Sequence, residues 1–266
     1  MLRKKAVVEL PIGRAHHVAA VFGAGLFIHG GESNRTLSDW NLFDFGLQVW
    51  INCEVNEVQP DESLQKFDYA RKYHTLTTVV DSNIKNGREL TRLMWCCPLK
   101  ELVKKSMLQE HGFFMFGGIN AAGFQTDDLF WIVPDFKTNA KTVNKTGDFK
   151  GEKRPEVKLV ARSLKPEGRG PIARSQHSAT FFKNQLVIFG GRNEAIFPAI
   201  KNVALNDLHI YDVRSNRWSA IAMYGDIPGS RWGHKLVAND QKIMLFGGMN
   251  LGSYCESVLY DFFIGK

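Results

Sequence analysis

The amino-acid sequence predicts an all-β chain built from four related four-stranded units, and three observations predict it. A double glycine ends a short apolar strand four times, at Gly30-Gly31, Gly117-Gly118, Gly190-Gly191 and Gly247-Gly248. An arginine followed three residues later by a histidine precedes each double glycine, as Arg14/His17, Arg71/His74, Arg174/His177 and Arg231/His234. An acidic residue opens a further strand after each double glycine, at Asp39, Asp128, Asp207 and Glu256.

The spacing of these residues defines the repeat and its interruptions. The histidines at 17 and 74 are 57 residues apart, as are those at 177 and 234. From histidine to first glycine the step is 13 residues in three repeats, but 43 in the second, which places an insertion at 81–110. A tryptophan follows the opening acid by 11 residues in two repeats, as Trp50 and Trp218. The second repeat has Asn139 there, so its outer edge is expected to be looser, or Trp131 substitutes.

A four-stranded unit with apolar side chains on both faces cannot bury them alone. Stacking such units around a central axis buries both faces, as the blades of a β-propeller do. The double glycines supply positive φ where each strand ends against its neighbours. The sequence therefore predicts that residues 1–266 form a single propeller domain, or a segment of one, in which the four units are stacked blades.

The motifs resemble kelch repeats, and the resemblance covers nearly the whole chain outside the insertions at 81–110 and 137–156. It implies a kelch-type β-propeller whose blades are held together by the arginines, the double glycines and the tryptophans. It also implies that the loops after the double glycines and before the hairpin histidines rim a partner-binding face. The candidate partner-binding residues in these loops are Asn34, Arg35, Tyr73, Phe124, Gln176, Arg192, Asn193, Trp232 and Tyr254.

The count of four blades is low for this family, whose rings commonly have six or seven. The sequence therefore predicts a segment of a longer propeller, a ring that another chain completes, or an open arc, whereas a closed ring of four blades would strain the blade geometry. The apolar strand at 258–264 has no following partner strand in the sequence. An open edge of that kind invites strand addition, so we expect the chain to self-associate or to need a partner.

The two insertions differ in character. Within 81–110, Leu99, Leu102, Val103 and Met107 form one apolar stripe at helical spacing, which predicts a helix that packs back on the propeller or is offered to a partner. The segment 137–156 is rich in Lys, Asn, Thr and Gly, which predicts a flexible basic loop.

The net charge of +7 is concentrated in one region. Residues 137–174 contain 11 Lys and Arg against 4 Asp and Glu, so the remaining residues balance at 23 against 23. This stretch is either a solvated insertion or a contact for an acidic partner such as nucleic acid or an acidic tail.

The four histidines of the repeat are expected to pack and to donate hydrogen bonds, because a residue that recurs in every blade is more typical of structure than of four active sites. No catalytic, metal or cofactor motif is recognisable, the four cysteines read as reduced thiols, and no apolar run reaches membrane-spanning length. The leading prediction is a non-enzymatic cytoplasmic scaffold for protein–protein interaction, as a subunit of a cytoskeletal or ciliary complex or an adaptor. The alternatives are a metal-dependent propeller enzyme and a nucleic-acid-associated factor that uses the basic loop.

Overall fold

A computed structural model describes residues 10–57, 68–79, 111–135, 157–194, 203–250, 253–255 and 259–262. The described residues form strands and turns and include no helix. The helix expected within 81–110 is not borne out, because that segment, like the basic loop expected at 137–156, lies outside the described residues. Among those residues, no helix is long and apolar enough to cross a membrane.

Blades 1 and 2 are antiparallel meanders of four strands each. Blade 1 consists of β1 (Val18–Phe22), β2 (Gly25–His29), β3 (Trp40–Asp44) and β4 (Val49–Glu57). Blade 2 consists of β5 (Thr75–Val79), β6 (Gly112–Phe116), β7 (Leu129–Asp135) and β8 (Val157–Leu164). In both, the strand that ends at the double glycine is the second from the axis.

Blades 3 and 4 repeat the pattern, but blade 4 is shorter. Blade 3 consists of β9 (Ser178–Phe182), β10 (Gln185–Phe189), β11 (Leu208–Asp212) and β12 (Arg217–Ile221). Blade 4 consists of β13 (Lys235–Ala238), β14 (Ile243–Phe246) and β17 (Leu259–Phe262), and a hairpin of β15 (Met249–Asn250) and β16 (Ser253–Tyr254) precedes β17. The prediction of four blades is confirmed, but in the described part of the chain blade 4 has three strands in its sheet rather than four.

Three apolar cores lie between successive blades. The first joins blades 1 and 2 around Phe27 and Phe113, the second joins blades 2 and 3 around Phe114 and Leu186, and the third joins blades 3 and 4 around Phe189. Side chains alternate along each strand, so neighbouring residues such as Phe113 and Phe114 enter different cores. The cores hold the blades in a stack, as expected from units with two apolar faces.

The arc of blades does not close within the described residues. The inner strands are neighbours in the order β1, β5, β9 and β13, whereas β13 and β1 share no comparable contact. The expectation of an incomplete ring agrees with this arrangement.

The outer strands of blades 1 and 2 pair with each other, which the sequence did not predict. Five residues of β4, Cys53 to Glu57, run parallel to Val157 to Ala161 of β8, so the two blades form one eight-stranded sheet. The pairing is possible because β4 and β8 have nine and eight residues, against five in β12. It covers the outer edge of blade 2, so that edge is not loose.

The tryptophan position of blade 2 is occupied by a small residue. Trp50 lies opposite Phe43 and Trp218 opposite Tyr211, and the corresponding residue opposite Ile132 is Ala161. Trp131 does not substitute for the missing tryptophan, because it lies on the other face of the sheet, 4.6 Å from the ring of Phe114.

Candidate partner-binding face

The loops after the double glycines and the segments before the histidines lie at one end of the blades. Successive connections in an antiparallel meander alternate between its two ends. The connections from β2 to β3 and from β4 to β5 therefore share an end, and the turns at 23–24 and 45–48 lie at the other. The shared end is called the loop face below.

Within each blade, the two segments of the loop face are joined by an antiparallel bridge. The bridges are Ala15 to Glu32, Lys72 to Ile119, Ser175 to Arg192, and Trp232 to Met249. The hydrogen bonds are made in both directions, as between Lys72 and Ile119 at 3.1 and 2.9 Å. The loops are thus fixed to the scaffold by backbone contacts.

Between blades, a chain of backbone hydrogen bonds runs along the loop face. The amide of Tyr73 donates to the carbonyl of His16 (3.1 Å), that of Gln176 to Tyr73 (2.9 Å) and that of Gly233 to Gln176 (2.8 Å). All four residues have positive φ, between 55° and 69°. Three of them are not glycine, and this left-handed conformation is uncommon for such residues. The residue before each repeated histidine therefore forms a regular element that the sequence motif alone did not reveal.

The repeated arginines bind the acids that open the third strand of their own blade. Arg174 is fully buried and donates two hydrogen bonds to Asp207 (both 2.7 Å) and one to the carbonyl of Gly190 (2.9 Å). Arg14 makes the same contacts with Asp39 (2.7 and 2.6 Å) and Gly30 (3.0 Å). Burial alone would raise the pKa of the Asp207 carboxyl, but the guanidinium of Arg174 holds that pKa below its usual value.

The other two arginines depart from this geometry. Arg71 makes a single bond to Asp128 (2.7 Å) and turns its other donors to the carbonyls of Asp68 and Ala70. Arg231 donates to the carbonyl of Gly247 (3.1 Å) and lies 5.1 Å from the ring centre of Tyr260. Glu256, the opening acid of its blade, lies outside the described residues.

The double glycines form the close contacts between successive blades. The amide of the second glycine donates to the arginine carbonyl of the next blade: Gly31 to Arg71 (2.7 Å), Gly118 to Arg174 (2.8 Å) and Gly191 to Arg231 (2.9 Å). The first glycine faces the same carbonyl, and a Cβ on Gly117 or Gly190 would lie 2.8 Å from it. Both glycines have positive φ, so the sites exclude side chains by conformation and by space.

At each junction, the repeated histidine of the following blade lies over the first glycine of the preceding blade. His177 Nε2 is 3.0 Å from the hydroxyl of Thr75, and His234 Nε2 is 3.1 Å from the carbonyl of Phe189. At the first junction His74 Nε2 meets His29 Nδ1 at 2.9 Å, because His29 stands where blades 2 and 3 have phenylalanine. Burial lowers the pKa of these histidines, to about 3 for His29 and His234. His17, which no preceding blade covers among the described residues, is exposed.

The sequence-predicted partner residues divide into three groups. Phe124 and Tyr254 project strongly from the loop face, with 69% and 87% of their surface exposed, and Asn34 and Arg35 are exposed as well. Tyr73, Gln176 and Arg192 are half-buried. Trp232 and Asn193 are buried, and Asn193 donates its side-chain amide to the carbonyl of Ala173.

A small polar cluster lies where blades 1 and 2 meet on this face. The ammonium of Lys72 pairs with the carboxylate of Glu32, and Lys72 lies 5.9 Å from the ring centre of Tyr73. The ring of Tyr73 stacks on His16 at 4.1 Å. The hydrogen bond from Lys72 lowers the pKa of Glu32. A shallow cavity of about 640 Å³ adjoins the cluster and is lined by residues 32–39 of blade 1 with Ile12, Ala70 and Ala121.

The basic stretch 137–174 is described only from residue 157. Arg174 is buried and bound to Asp207, so its charge is not presented to an acidic partner. Lys158 lies 3.5 Å from the carboxylate of Glu54, and Lys165 and Arg169 are exposed. In the ranges that the structure describes, no three His, Cys, Asp or Glu side chains lie close enough together to hold a metal ion.

Comparison with known proteins agrees with this geometry. The family model described as the KLHDC2/KLHL20/DRC7 Kelch-repeats domain matches residues 106–264. Human host cell factor 2 is 37% identical over 95 residues, which are 35% of this chain and 11% of that protein. Bovine Kelch domain-containing protein 3 is 30% identical over 105 residues, or 40% and 25% of the two chains. The Rho GTPase-activating protein gacHH of Dictyostelium discoideum is 28% identical over 173 residues, or 62% and 10%. The matches thus span a quarter or less of these relatives. The family match covers more than half of this chain, and the chain belongs to the kelch-repeat family.

Proposed function

We propose that this chain is a non-enzymatic scaffold that binds a protein partner through the loop face. The observation that carries the proposal is the pair of exposed aromatic side chains, Phe124 and Tyr254, on loops that backbone bridges fix to the blades. Exposed aromatic residues on a rigid frame supply much of the binding energy at protein interfaces, because little conformational entropy is lost when they bind.

The surroundings of Phe124 support the same function. Two hydrogen bonds close its loop. The amide of Asn120 donates to the carbonyl of Phe124 (2.9 Å), and the amide of Phe124 donates to the side-chain oxygen of Asn120 (2.9 Å). Gln125 then joins the loop to blade 3, donating to the hydroxyl of Ser175 (2.8 Å) and accepting from the amide of Glu194 (2.8 Å). An uncovered aromatic side chain on a loop whose backbone is held in this way is typical of an interaction surface.

The partner-binding set is accordingly smaller than the sequence predicted. It consists of Phe124 and Tyr254 as apolar anchors, with Asn34 and Arg35 as polar contacts and Tyr73, Gln176 and Arg192 at the inner edge of the face. Trp232 and Asn193 support the loops from below. Within this proposal the chain acts in the cytoplasm as a subunit or adaptor in a larger assembly, of which a cytoskeletal or ciliary complex is one example.

The test compares variants of the two ends of the blades. The double variant Phe124→Ala/Tyr254→Ala and the control Phe45→Ala, an exposed aromatic residue in the turn at 45–48 at the opposite end, are each expressed in native cells with the unchanged chain. Quantitative crosslinking mass spectrometry then measures the proteins bound to each. The proposal requires that at least one bound protein falls about tenfold or more with the loop-face variant and is retained by the control.

Retention of every bound protein by the loop-face variant would remove the loop face as the binding surface. Loss of the same protein from the control would show that binding uses the other end of the blades. Both variants change exposed side chains, so their melting temperatures should match that of the unchanged chain.

A further inference from the structure

The outer strand of blade 1 extends beyond the other strands of its own blade. Pairing between β3 and β4 ends at Cys53, which lies opposite Trp40. The last four residues of β4, 54–57, lie beyond this point and pair with β8 of blade 2. Residues 53–57 are called the strap below, because they cross from one blade to the next.

A comparison with blade 3 shows which sequence feature permits the strap. Ile221 has the position in blade 3 that Cys53 has in blade 1, and β12 ends there. Gly225 follows with a φ of 81°, and Pro228 comes three residues later, which disfavours a longer strand. In blade 1, no glycine or proline follows Cys53 before Pro60, so β4 can continue across to blade 2.

The strap closes the outer side of the core between blades 1 and 2. Val55 of the strap packs against this core, and Leu159 and Ala161 of β8 are buried within it. On the other face of the strap, the carboxylate of Glu54 lies 3.5 Å from the ammonium of Lys158. Apolar side chains thus face the core and charged ones face away from it, so the strap packs as a regular strand of the sheet.

The inner edges of the same two blades are also joined. Strands β1 and β5 are neighbours, and the hydroxyl of Thr78 donates to the carbonyl of Val21 (3.1 Å). The eight strands of blades 1 and 2 therefore wrap around their shared core, with the strap at the outer side and β1 and β5 at the inner side. In the described part of the chain, no strand pairing of this kind joins blade 2 to blade 3 or blade 3 to blade 4.

The cavity on the loop face lies across this junction. Residues 32–39 of blade 1 form most of its lining, and Ala121 lines it from blade 2. Because its walls belong to different blades, a change in the angle between blades 1 and 2 would change the width of the cavity. The contacts that hold these two blades together therefore also set the shape of this part of the loop face.

We propose that the strap locks blades 1 and 2 into one rigid body, which opens as a unit and keeps the walls of the cavity at a fixed spacing. For blade 1 to separate from blade 2, the backbone pairing of the strap must break and the shared core must be exposed in the same event. Proteins open locally in cooperative units whose members share such contacts. The coupling of the two blades does not depend on what the loop face binds, so the proposal stands apart from the proposed function.

The test is hydrogen exchange of the full chain, measured by mass spectrometry at pH 7.5, for the unchanged chain, Asn56→Pro and the control Asn56→Ala. The amide of Trp218 in blade 3 donates outward to Glu167, and Trp218 corresponds to Trp50. Amides alternate in direction along a strand, so the amide of Asn56, an even number of residues after Trp50, also points outward, toward β8. Proline removes this donor, whereas alanine removes only an exposed side chain.

The exchange rates of β2 in blade 1 and β6 in blade 2 report the coupling. In the unchanged chain and in Asn56→Ala, the slowest amides of the two strands should exchange at rates within about threefold of each other, because one opening exposes both. In Asn56→Pro, the β2 amides should exchange at least about tenfold faster than the β6 amides, because blade 1 then opens separately. Should Asn56→Pro not fold, Glu54→Gly/Asn56→Gly keeps the donors, weakens the strap by chain entropy and should separate the two rates by more than about threefold.

Spin labels on the two loops beside the cavity measure the spacing of its walls. The labels are attached at Asn34→Cys and Ala122→Cys, in a chain whose cysteines other than the buried Cys53 are replaced by serine. Pulsed electron paramagnetic resonance should give one narrow distance distribution. The distribution should become at least about twofold broader when Asn56→Pro is added, because the blades then move relative to each other.

Four results would overturn the proposal. The first is faster exchange of β2 than of β6 in the unchanged chain, by more than about threefold, because blade 1 would then already open by itself. The second is a ratio of these rates that Asn56→Pro leaves unchanged, whether or not the whole chain loses stability. The third is the same separation of rates in Asn56→Ala, which would assign the effect to the side chain. The fourth is a distance distribution that stays narrow in Asn56→Pro.

Discussion

The third junction and the open end of blade 4 are built from nearly the same local sequence but have different surroundings. Ile188-Phe189-Gly190-Gly191 and Leu245-Phe246-Gly247-Gly248 end equivalent strands, and all four glycines have positive φ. A Cβ on Gly190 would have a carbonyl, a histidine ring and a second carbonyl within 3.1 Å, whereas one on Gly247 would have none of them. Phe189 is buried and Phe246 is about half exposed. The motif fixes the backbone conformation, but its packing role requires the next blade.

The same contrast applies to the histidines, and it makes pH the strongest probe of the junctions. His29, His74, His177 and His234 are buried in the neutral form with lowered pKa values, to about 3 for His29 and His234. The unfolded chain binds protons near pH 6.5 and the folded chain does not, so the free energy of unfolding falls as pH drops below 6.5. Each such histidine contributes a slope of about 1.4 kcal/mol per pH unit.

Urea unfolding between pH 7.5 and 5 measures this slope. This pH range is chosen because most carboxylates titrate below it. The control His17→Asn should keep the steep dependence, because His17 lies outside the junctions. A free energy of unfolding that is constant from pH 7 to 5 would contradict the burial of neutral histidines.

The glycine pair includes the next largest effect. Gly190→Ala should lower the free energy of unfolding by about 3 kcal/mol or more, because its Cβ collides with the backbone of blade 4 in addition to the strain of positive φ. Gly247→Ala adds only the conformational strain, which is about 1 to 2 kcal/mol. Denaturant unfolding at pH 7.5 compares the two.

Equal effects of the two glycine variants would mean that Gly247 is covered in solution. Repeating the comparison at the lowest measurable protein concentration would show whether association with another molecule covers it.

A smaller loss of stability than that of Gly190→Ala is expected from His177→Ala, for which His17→Ala is the exposed counterpart. His177 is buried, contacts the ring of Phe116 and bonds to Thr75, so its loss should cost about 2 to 3 kcal/mol. The exposed His17 should cost less than about 0.5 kcal/mol. Thermal unfolding at pH 7.5 compares the two variants. A larger loss of stability with His17→Ala than with His177→Ala would contradict the exposure of His17 and the burial of His177.

The smallest difference concerns the acids that hold the arginines. Asp207 forms two hydrogen bonds with Arg174, whereas Asp128 forms one with Arg71, which retains carbonyl partners. Asp207→Asn should therefore destabilise the fold by about 2 kcal/mol and Asp128→Asn by about 1 kcal/mol or less. Denaturant unfolding that gives the reverse order would show that Arg71 depends on its acid more than the geometry indicates.

The sequence determined the repeated features of this protein. The double glycines, the arginine and histidine pairs and the opening acids predicted the number of blades and the kelch resemblance, because each is a local requirement that recurs in every blade. The spacing of the same motifs also located the candidate partner-binding loops. Most of the predicted partner residues lie on one face because these loops occupy the same position in each blade.

The tertiary structure decided how the copies of a motif differ. Trp232 and Asn193 are buried while Phe124 and Tyr254 are exposed, although all four stand in loops of the repeat. The positive φ of Tyr73 and Gln176 and the parallel pairing of β4 with β8 depend on a neighbouring blade. A motif specifies hydrogen bonds within a few residues of itself, whereas burial and pKa depend on which other surface covers it. His17 and His177 share one motif, but among the described residues a preceding blade covers only His177, so His177 is buried and His17 is exposed.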